Sequence, residues 1–136
     1  MRVLTIEDDP TAQMMLKNIL CKFADVTESA NGEEGLQTFC AAVKDGNGFD
    51  LVCLDIGLPD VQGNDLLRML RKTEAENTTK PAVVLVMTAS HEIQVIQKMI
   101  TLGADGYFVK PVNRIKLIVR LRELGLAVRA GCETTA

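Results

Sequence analysis

A chain of 136 residues that is 47% apolar is long enough for one domain with a real core, and that composition excludes intrinsic disorder. Its longest apolar run, residues 82–87, is far too short to span a bilayer. Residues 1–7 turn acidic where a secretory leader would stay apolar, so a cytoplasmic location is expected. The net charge of −3 hides an asymmetry: residues 1–65 carry 4 Lys/Arg against 12 Asp/Glu, and residues 66–136 carry 11 against 6. Such a split suits a cation site in one half and an anion or partner surface in the other, although a solvated surface of mixed charge accounts for it equally.

Taken in chain order, short strand-like runs alternate with longer helical ones. Residues 3–6 read as a first strand. Asp9 and Pro10 then supply a cap and a first-turn proline for a helix near 10–23, with Met14, Ile19, Leu20 and Phe23 among its apolar positions. A strand near 25–29 ends at the turn signal Ala30-Asn31-Gly32, which opens a helix to about Val43. Asp45-Gly46-Asn47-Gly48 breaks that helix before the strand 51–54. A third helix is expected near 64–72, a polar loop over 73–80 and a strand at 82–87. A helix near 92–102, a strand at 106–109 and a helix near 113–126 complete the series.

Five strands alternating with five helices predict an α/β domain with a parallel sheet. The runs 3–6, 51–54 and 82–87 do not alternate apolar with polar, as expected of strands covered by helices on both faces. Among the common doubly wound orders, 2-1-3-4-5 suits five strands best.

The residues that follow the strands carry the chemistry. Glu7, Asp8 and Asp9 follow the first, Asp55 the third, Thr88 the fourth and Lys110 the fifth. In a parallel sheet all of them lie at the carboxyl edge, where open α/β folds bind ligands. Clustered carboxylates repel one another, and a hard divalent cation relieves that cost; few carboxylates plus waters suit Mg²⁺ better than Ca²⁺. A lysine and a hydroxyl beside the same metal suit an arriving phosphoryl group, and a carboxylate can be the nucleophile that accepts it. Each residue also has a plainer reading: Glu7-Asp8-Asp9 as a helix cap, Thr88 as a strand-end cap and Lys110 as a solvated lysine.

Four segments carry a family resemblance: Val3-Leu4-Thr5-Ile6-Glu7-Asp8-Asp9, Asp50 through Gly63 with Asp55-Ile56-Gly57-Leu58-Pro59 at its centre, Val86-Met87-Thr88-Ala89, and Gly103 through Pro111. In this order and spacing the chain resembles the receiver domain of two-component response regulators over about residues 2–126. The resemblance implies a flavodoxin-like three-layer sandwich with a receiver domain at 1–126 and a tail or linker remnant at 127–136. It also implies a phosphorylation-dependent switch in which Asp55 accepts a phosphoryl group from a phosphohistidine. Asp8 would hold Mg²⁺ directly, Glu7 through water, and Gly57 through its backbone carbonyl, with Asp55 completing the metal site. Lys110 and Thr88 would bind the phosphoryl oxygens, Tyr107 would turn inward on activation, and Lys110–Pro111 would be a cis peptide. The face formed by the fourth helix, fifth strand and fifth helix would change in response. Gly63 would serve the turn into the third helix.

The resemblance further implies a sensor histidine kinase or histidine phosphotransfer protein as donor, and a downstream protein target or an output domain. No direct nucleic-acid binding and no membrane contact are expected. The chain would be no enzyme beyond its own phosphorylation and dephosphorylation. Glu7 stands where many members carry Asp. Gly57 and Ser90, two residues beyond Asp55 and Thr88, are both small, so water should reach an acyl phosphate unhindered. Three rivals are weaker. An Asp-nucleophile phosphatase needs a second Asp where Gly57 stands. A degenerate receiver acting as a phosphorylation-independent adaptor sits poorly with the intact site residues. A nucleotide-binding domain lacks a glycine-rich phosphate motif after the first strand.

The remaining features read plainly. His91 is expected at the surface, Met14, Met15, Met69, Met87 and Met99 in packing, and Arg114, Lys116, Arg120 and Arg122 on a solvated face or a partner surface. Cys21, Cys40, Cys53 and Cys132 show no CxxC spacing and no nearby histidine, against both a zinc site and a disulfide framework.

Overall fold

The computed structural model describes residues 1–89 and 93–126. Ser90, His91, Glu92, Cys132 and the rest of the 127–136 segment lie outside the described residues. Five strands, β1 (Arg2–Ile6), β2 (Asp25–Ser29), β3 (Leu51–Asp55), β4 (Val83–Thr88) and β5 (Gly106–Val109), alternate with five helices. These are α1 (Pro10–Leu20), α2 (Gly32–Lys44), α3 (Gly63–Glu76), α4 (Ile93–Thr101) and α5 (Arg114–Glu123). The strands form one parallel sheet in the order β2-β1-β3-β4-β5, as expected from the alternation of elements.

Alternation along the buried strands divides the core in two. Leu4, Ile6, Val52, Leu54, Val84 and Val86 face one way, onto Phe39 and Val43 of α2, Leu66, Leu67 and Leu70 of α3, and Met99 of α4. Val3, Leu51, Cys53, Leu85 and Met87 face the other, onto Leu16, Ile19 and Leu20 of α1 and Leu117, Ile118 and Leu121 of α5. Burial pushes the Cys53 thiol up to about 12, so it behaves as a small inert hydrophobe. Among the described residues no helix is long and apolar enough to cross a membrane.

Helix starts follow from local chemistry. Asp9 caps α1 by accepting from Thr11 N–H at 3.1 Å, with Pro10 at the first helical position. Asn31 caps α2 and Asn113 caps α5 in the same way. Gly63 opens α3 because a Cβ there would sit 2.8 Å from Ile56 Cβ and 3.0 Å from its Cα, a close approach that excludes any side chain.

Besides two helix ends that come three residues early (α1 stops at Leu20, which leaves Phe23 in the turn after it, and α5 stops at Glu123), two sequence expectations need correction. The third helix does not stop near 72: α3 runs to Glu76, through residues expected to form a loop. The cause is Glu74, a buried carboxylate that accepts from Ala82 N–H at 2.6 Å and pairs with Arg71 at 2.7 Å. Arg71 extends the tie by donating to the carbonyls of Ala82 and Gly103 and to Asp105. The second correction concerns methionines. Met87 and Met99 pack in the core, but Met14, Met15 and Met69 are exposed, Met14 by 59%. The inward position on α1 belongs to its neighbour Gln13.

Candidate functional site

The register of the sheet aligns the strand ends. Ser29, Ile6, Leu54, Val86 and Tyr107 form one row across all five strands. One residue further toward the carboxyl edge stand Glu7 and Asp55; Thr88 and then Lys110 follow within three residues of that row on β4 and β5. The chain is therefore obliged to bring these side chains to one edge by its strand lengths alone.

The geometry is tight. Glu7, Asp8 and Asp55 each offer a carboxylate oxygen within 4.8 Å of the others. Lys110 Nζ lies 3.0 and 2.9 Å from the two Glu7 oxygens and 3.4 Å from Asp55 Oδ2. Asp9 donates its backbone N–H to Glu7 Oε1 at 3.2 Å while its side chain caps α1, which keeps that carboxylate out of the cluster. Asp55 Oδ1 accepts the N–H of Gly57 at 2.9 Å. Thr88 is buried at the end of β4, level with Val109. The Lys110–Pro111 peptide is cis.

Electrostatics follow from this arrangement. Burial pushes the Glu7 carboxyl above the usual carboxylate range; the hydrogen bond from Lys110 opposes that rise and the charge of Asp55 adds to it. Burial alone would lower the Lys110 ammonium. The bond to Glu7 and the charges of Asp55 and Glu7 outweigh it, and Lys110 holds its proton more tightly than an ordinary lysine. Glu7 Oε2 is buried, with the Lys110 ammonium 2.9 Å away. Three hard oxygen donors, one of them buried with spare acceptor capacity, fit a small divalent cation such as Mg²⁺.

Tyr107 sits apart from this cluster. Its ring is half-buried, with the Arg120 guanidinium 5.5 Å above the ring centre. Around it Ile93, Ile96, Ile115 and Val119 line a groove of about 510 Å³ between α4, β5 and α5. Ile93, Ile115 and Val119 are exposed.

Sequence reasoning missed two residues that hold the site's backbone. Asp60, in the loop after β3, accepts from Gly32 N–H at 3.0 Å and Glu33 N–H at 2.9 Å. It thereby pins the loop carrying Gly57 to the first turn of α2. Those two N–H groups hold the Asp60 carboxyl below its ordinary value. The other is Gln13, buried on α1, whose side chain reaches the ends of β1 and β2. Its signal was present in the sequence, because Gln13, Leu16 and Leu20 follow the 3-4 spacing of one helical stripe.

Comparison with known proteins gives a consistent picture. Residues 3–122 match the response regulator receiver domain family. The chain is 38% identical over 125 residues to the probable transcriptional regulatory protein SilR of Salmonella typhimurium, covering 91% of this chain and 50% of that protein. It is 36% identical over 124 residues to the transcriptional regulatory protein CusR of Escherichia coli, covering 91% and 51%. The chain thus spans about half the length of these relatives. Among solved structures, a CheY-like receiver domain protein from Methanospirillum hungatei superposes with a TM-score of 0.75 at 28% identity, covering 91% of this chain and 93% of that one. With the sheet order, the acidic edge and the family match in agreement, the chain belongs to the response regulator receiver domains, the phosphorylation-dependent switches of two-component signalling.

Proposed function

We propose that Asp55 is the phosphoacceptor of this receiver and that it takes its phosphoryl group from a phosphohistidine with Mg²⁺ held by Glu7, Asp8 and Asp55. The observation that carries the reading is the meeting of three carboxylates with Lys110 at the carboxyl edge of the sheet. Bound Mg²⁺ would neutralise charge on the transferring group. Gly57 is the further contact, through its backbone carbonyl, while its N–H orients the Asp55 carboxylate. A phosphohistidine is already a reactive donor, so the protein's contribution is alignment and charge. Asp55 attacks phosphorus, the bond to the donor imidazole breaks, and Lys110 follows the phosphoryl oxygens from its present place against Glu7. Thr88 then donates its hydroxyl to another of those oxygens. The chain would catalyse only this transfer and the hydrolysis that ends it.

The same reading extends to the output. Inward rotation of Tyr107 would break its contact with Arg120 and reshape the groove lined by Ile93, Ile115 and Val119. A sensor kinase or histidine phosphotransfer protein is the proposed donor, and a protein target or an output domain the proposed receiver of the signal, in the cytoplasm.

The test is intact mass after incubation with acetyl phosphate. A gain of one phosphoryl group that requires Mg²⁺ is expected; labelling that ignores Mg²⁺ contradicts the metal's role, and an unlabelled protein favours a phosphorylation-independent adaptor. Mg²⁺ should also stabilise the fold. At a concentration about 100-fold above the dissociation constant the gain is about 2.7 kcal/mol, or roughly 10 °C in Tm. Asp8→Asn should remove most of that rise in a thermal melt, and an undiminished rise would take Asp8 out of the metal site.

A Cβ built on Gly57 would stand 3.4 Å from Asp55 Oδ1, an ordinary contact. Gly57→Leu is therefore expected to fold and to place its side chain over the path of the hydrolytic water. The phosphoryl lifetime, read as decay of the labelled mass, should lengthen severalfold; an unchanged lifetime would show that water reaches the acyl phosphate by another route. Ser90, the other small residue in this expectation, lies outside the described residues.

A further inference from the structure

We infer that Gln13 is a positioning residue for the metal site, acting through the backbone on either side of Asp8; the inference rests on the proposed Mg²⁺ site. Its side-chain amide is almost fully buried between α1 and the carboxyl ends of β1 and β2. The Nε2 donates to Ser29 O at 3.1 Å and to Glu7 O at 3.3 Å, and the Oε1 accepts from Thr5 Oγ1 at 2.5 Å. The opposite amide orientation would aim the side-chain oxygen at two carbonyls, so this is the one that satisfies every group.

The site needs such a bridge. Glu7 stands just past the end of β1, so its carbonyl lies beyond the strand ladder, and a buried carbonyl left unpaired is costly. Gln13 meets that need at Glu7 and gives Ser29 O a second donor, so it joins the ends of β1 and β2. Ser29 O also accepts the N–H of Glu7 at 3.1 Å, so one carbonyl ties both Glu7 and Gln13 to β2. The backbone N–H of Gln13 donates to Asp9 O at 2.9 Å. The carbonyls of Glu7 and Asp9, the residues on either side of Asp8, are thus both held by Gln13, one by its side chain and one by its main chain. An exposed, short side chain such as that of Asp8 can be aimed only through its backbone, and this bracket fixes it. A neutral amide is also suited to the place. A lysine or arginine would compete with a cation for the carboxylates, and an apolar residue would take its donor from Glu7 O and leave Ser29 O only the Glu7 N–H.

The experiment compares wild type with Gln13→Met, which keeps length and removes both polar functions. Mg²⁺ affinity is read by calorimetry, and exchange of the Glu7 and Asp8 amide protons is followed in metal-free protein. Ile19→Val, on the same buried face of α1 but remote from the strand ends, serves as the control for simple loss of packing. Gln13→Met is expected to weaken Mg²⁺ binding by about tenfold, in the range seen when outer partners of metal ligands are removed, and to speed exchange at Glu7. With acetyl phosphate, the Mg²⁺ concentration for half-maximal labelling should rise while the rate at saturating Mg²⁺ stays near that of wild type. Ile19→Val should leave all three unchanged. Wild-type affinity in a folded Gln13→Met protein would overturn the inference. Should Gln13→Met not fold, Thr5→Val, which removes only the hydroxyl that orients the amide, decides the matter: weaker Mg²⁺ binding supports the role and unchanged binding overturns it. A wild-type protein that binds no Mg²⁺ brings down the metal-site reading itself, a result distinct from equal binding by wild type and variant.

Discussion

Replacing Asp55 with asparagine is expected to leave a folded protein that takes up no phosphoryl group from acetyl phosphate at any Mg²⁺ concentration. Asparagine matches aspartate in shape, and its amide oxygen can go on accepting the Gly57 N–H now bound at 2.9 Å. Lys110 keeps its bonds to Glu7 at 2.9 and 3.0 Å when it loses the weaker contact to position 55. What disappears is the anionic nucleophile, and with it one of three mutually repelling charges. In metal-free buffer the variant should unfold at a urea concentration no lower than that of wild type. Intact mass and urea unfolding together check both halves. Labelling of the variant at the wild-type rate would mean that another residue accepts the phosphoryl group. A collapse in stability would mean that Asp55 is held for structural reasons the present geometry does not contain.

The second large effect falls far from the site. Arg71→Ala should destabilise the fold by about 3–5 kcal/mol, the usual cost of removing one member of a buried ion pair. That is a large share of a domain's total stability of roughly 5–15 kcal/mol. Arg71 binds Glu74 at 2.7 Å, Ala82 O at 2.8 Å, Gly103 O at 2.7 Å and Asp105 at 2.9 Å. Its loss strands a carboxylate whose side chain is only 5% exposed, and it also leaves backbone carbonyls on two separate segments without that donor. The double variant Arg71→Met/Glu74→Leu should recover part of the loss, because no buried charge is left alone. Urea unfolding of the three proteins is the check, and a cost near 1 kcal/mol for Arg71→Ala would mean that water replaces the guanidinium without difficulty.

These two regions differ in how far the sequence revealed them. The edge site was legible because apolar runs stop where the chemistry begins: Leu54 gives way to Asp55, Met87 to Thr88 and Val109 to Lys110. Once the strands were recognised as parallel, their ends had to meet. The Arg71 tie gave no such signal. Apart from Glu74, three residues along the same helix, its partners lie 11, 32 and 34 residues away and are backbone or loop groups, so nothing periodic marks them. The polar character of Thr73, Glu74 and Glu76 hid the last turn of α3, although Leu67, Leu70 and Glu74 do fall on one stripe. Gln13 was hidden for the same reason, since a polar residue at an inward position reads as a gap beside the apolar Met14. At i+3 and i+4 from Met14 stand Lys17 and Asn18, the mark of the solvated face where the structure puts it. In each case an inward polar side chain was bonding the backbone of a distant segment, and local pattern carries no record of such a partner.

The identity of the reacting atom is open to direct chemical capture. Borohydride reduces an acyl phosphate to an alcohol, so an aspartyl phosphate leaves homoserine in its place. Protein treated with acetyl phosphate and Mg²⁺, reduced and sequenced by tandem mass spectrometry should carry homoserine at position 55, and should lack it when either reagent is withheld. Homoserine at Asp8, at Asp9 or at a carboxylate away from the sheet edge would contradict the account.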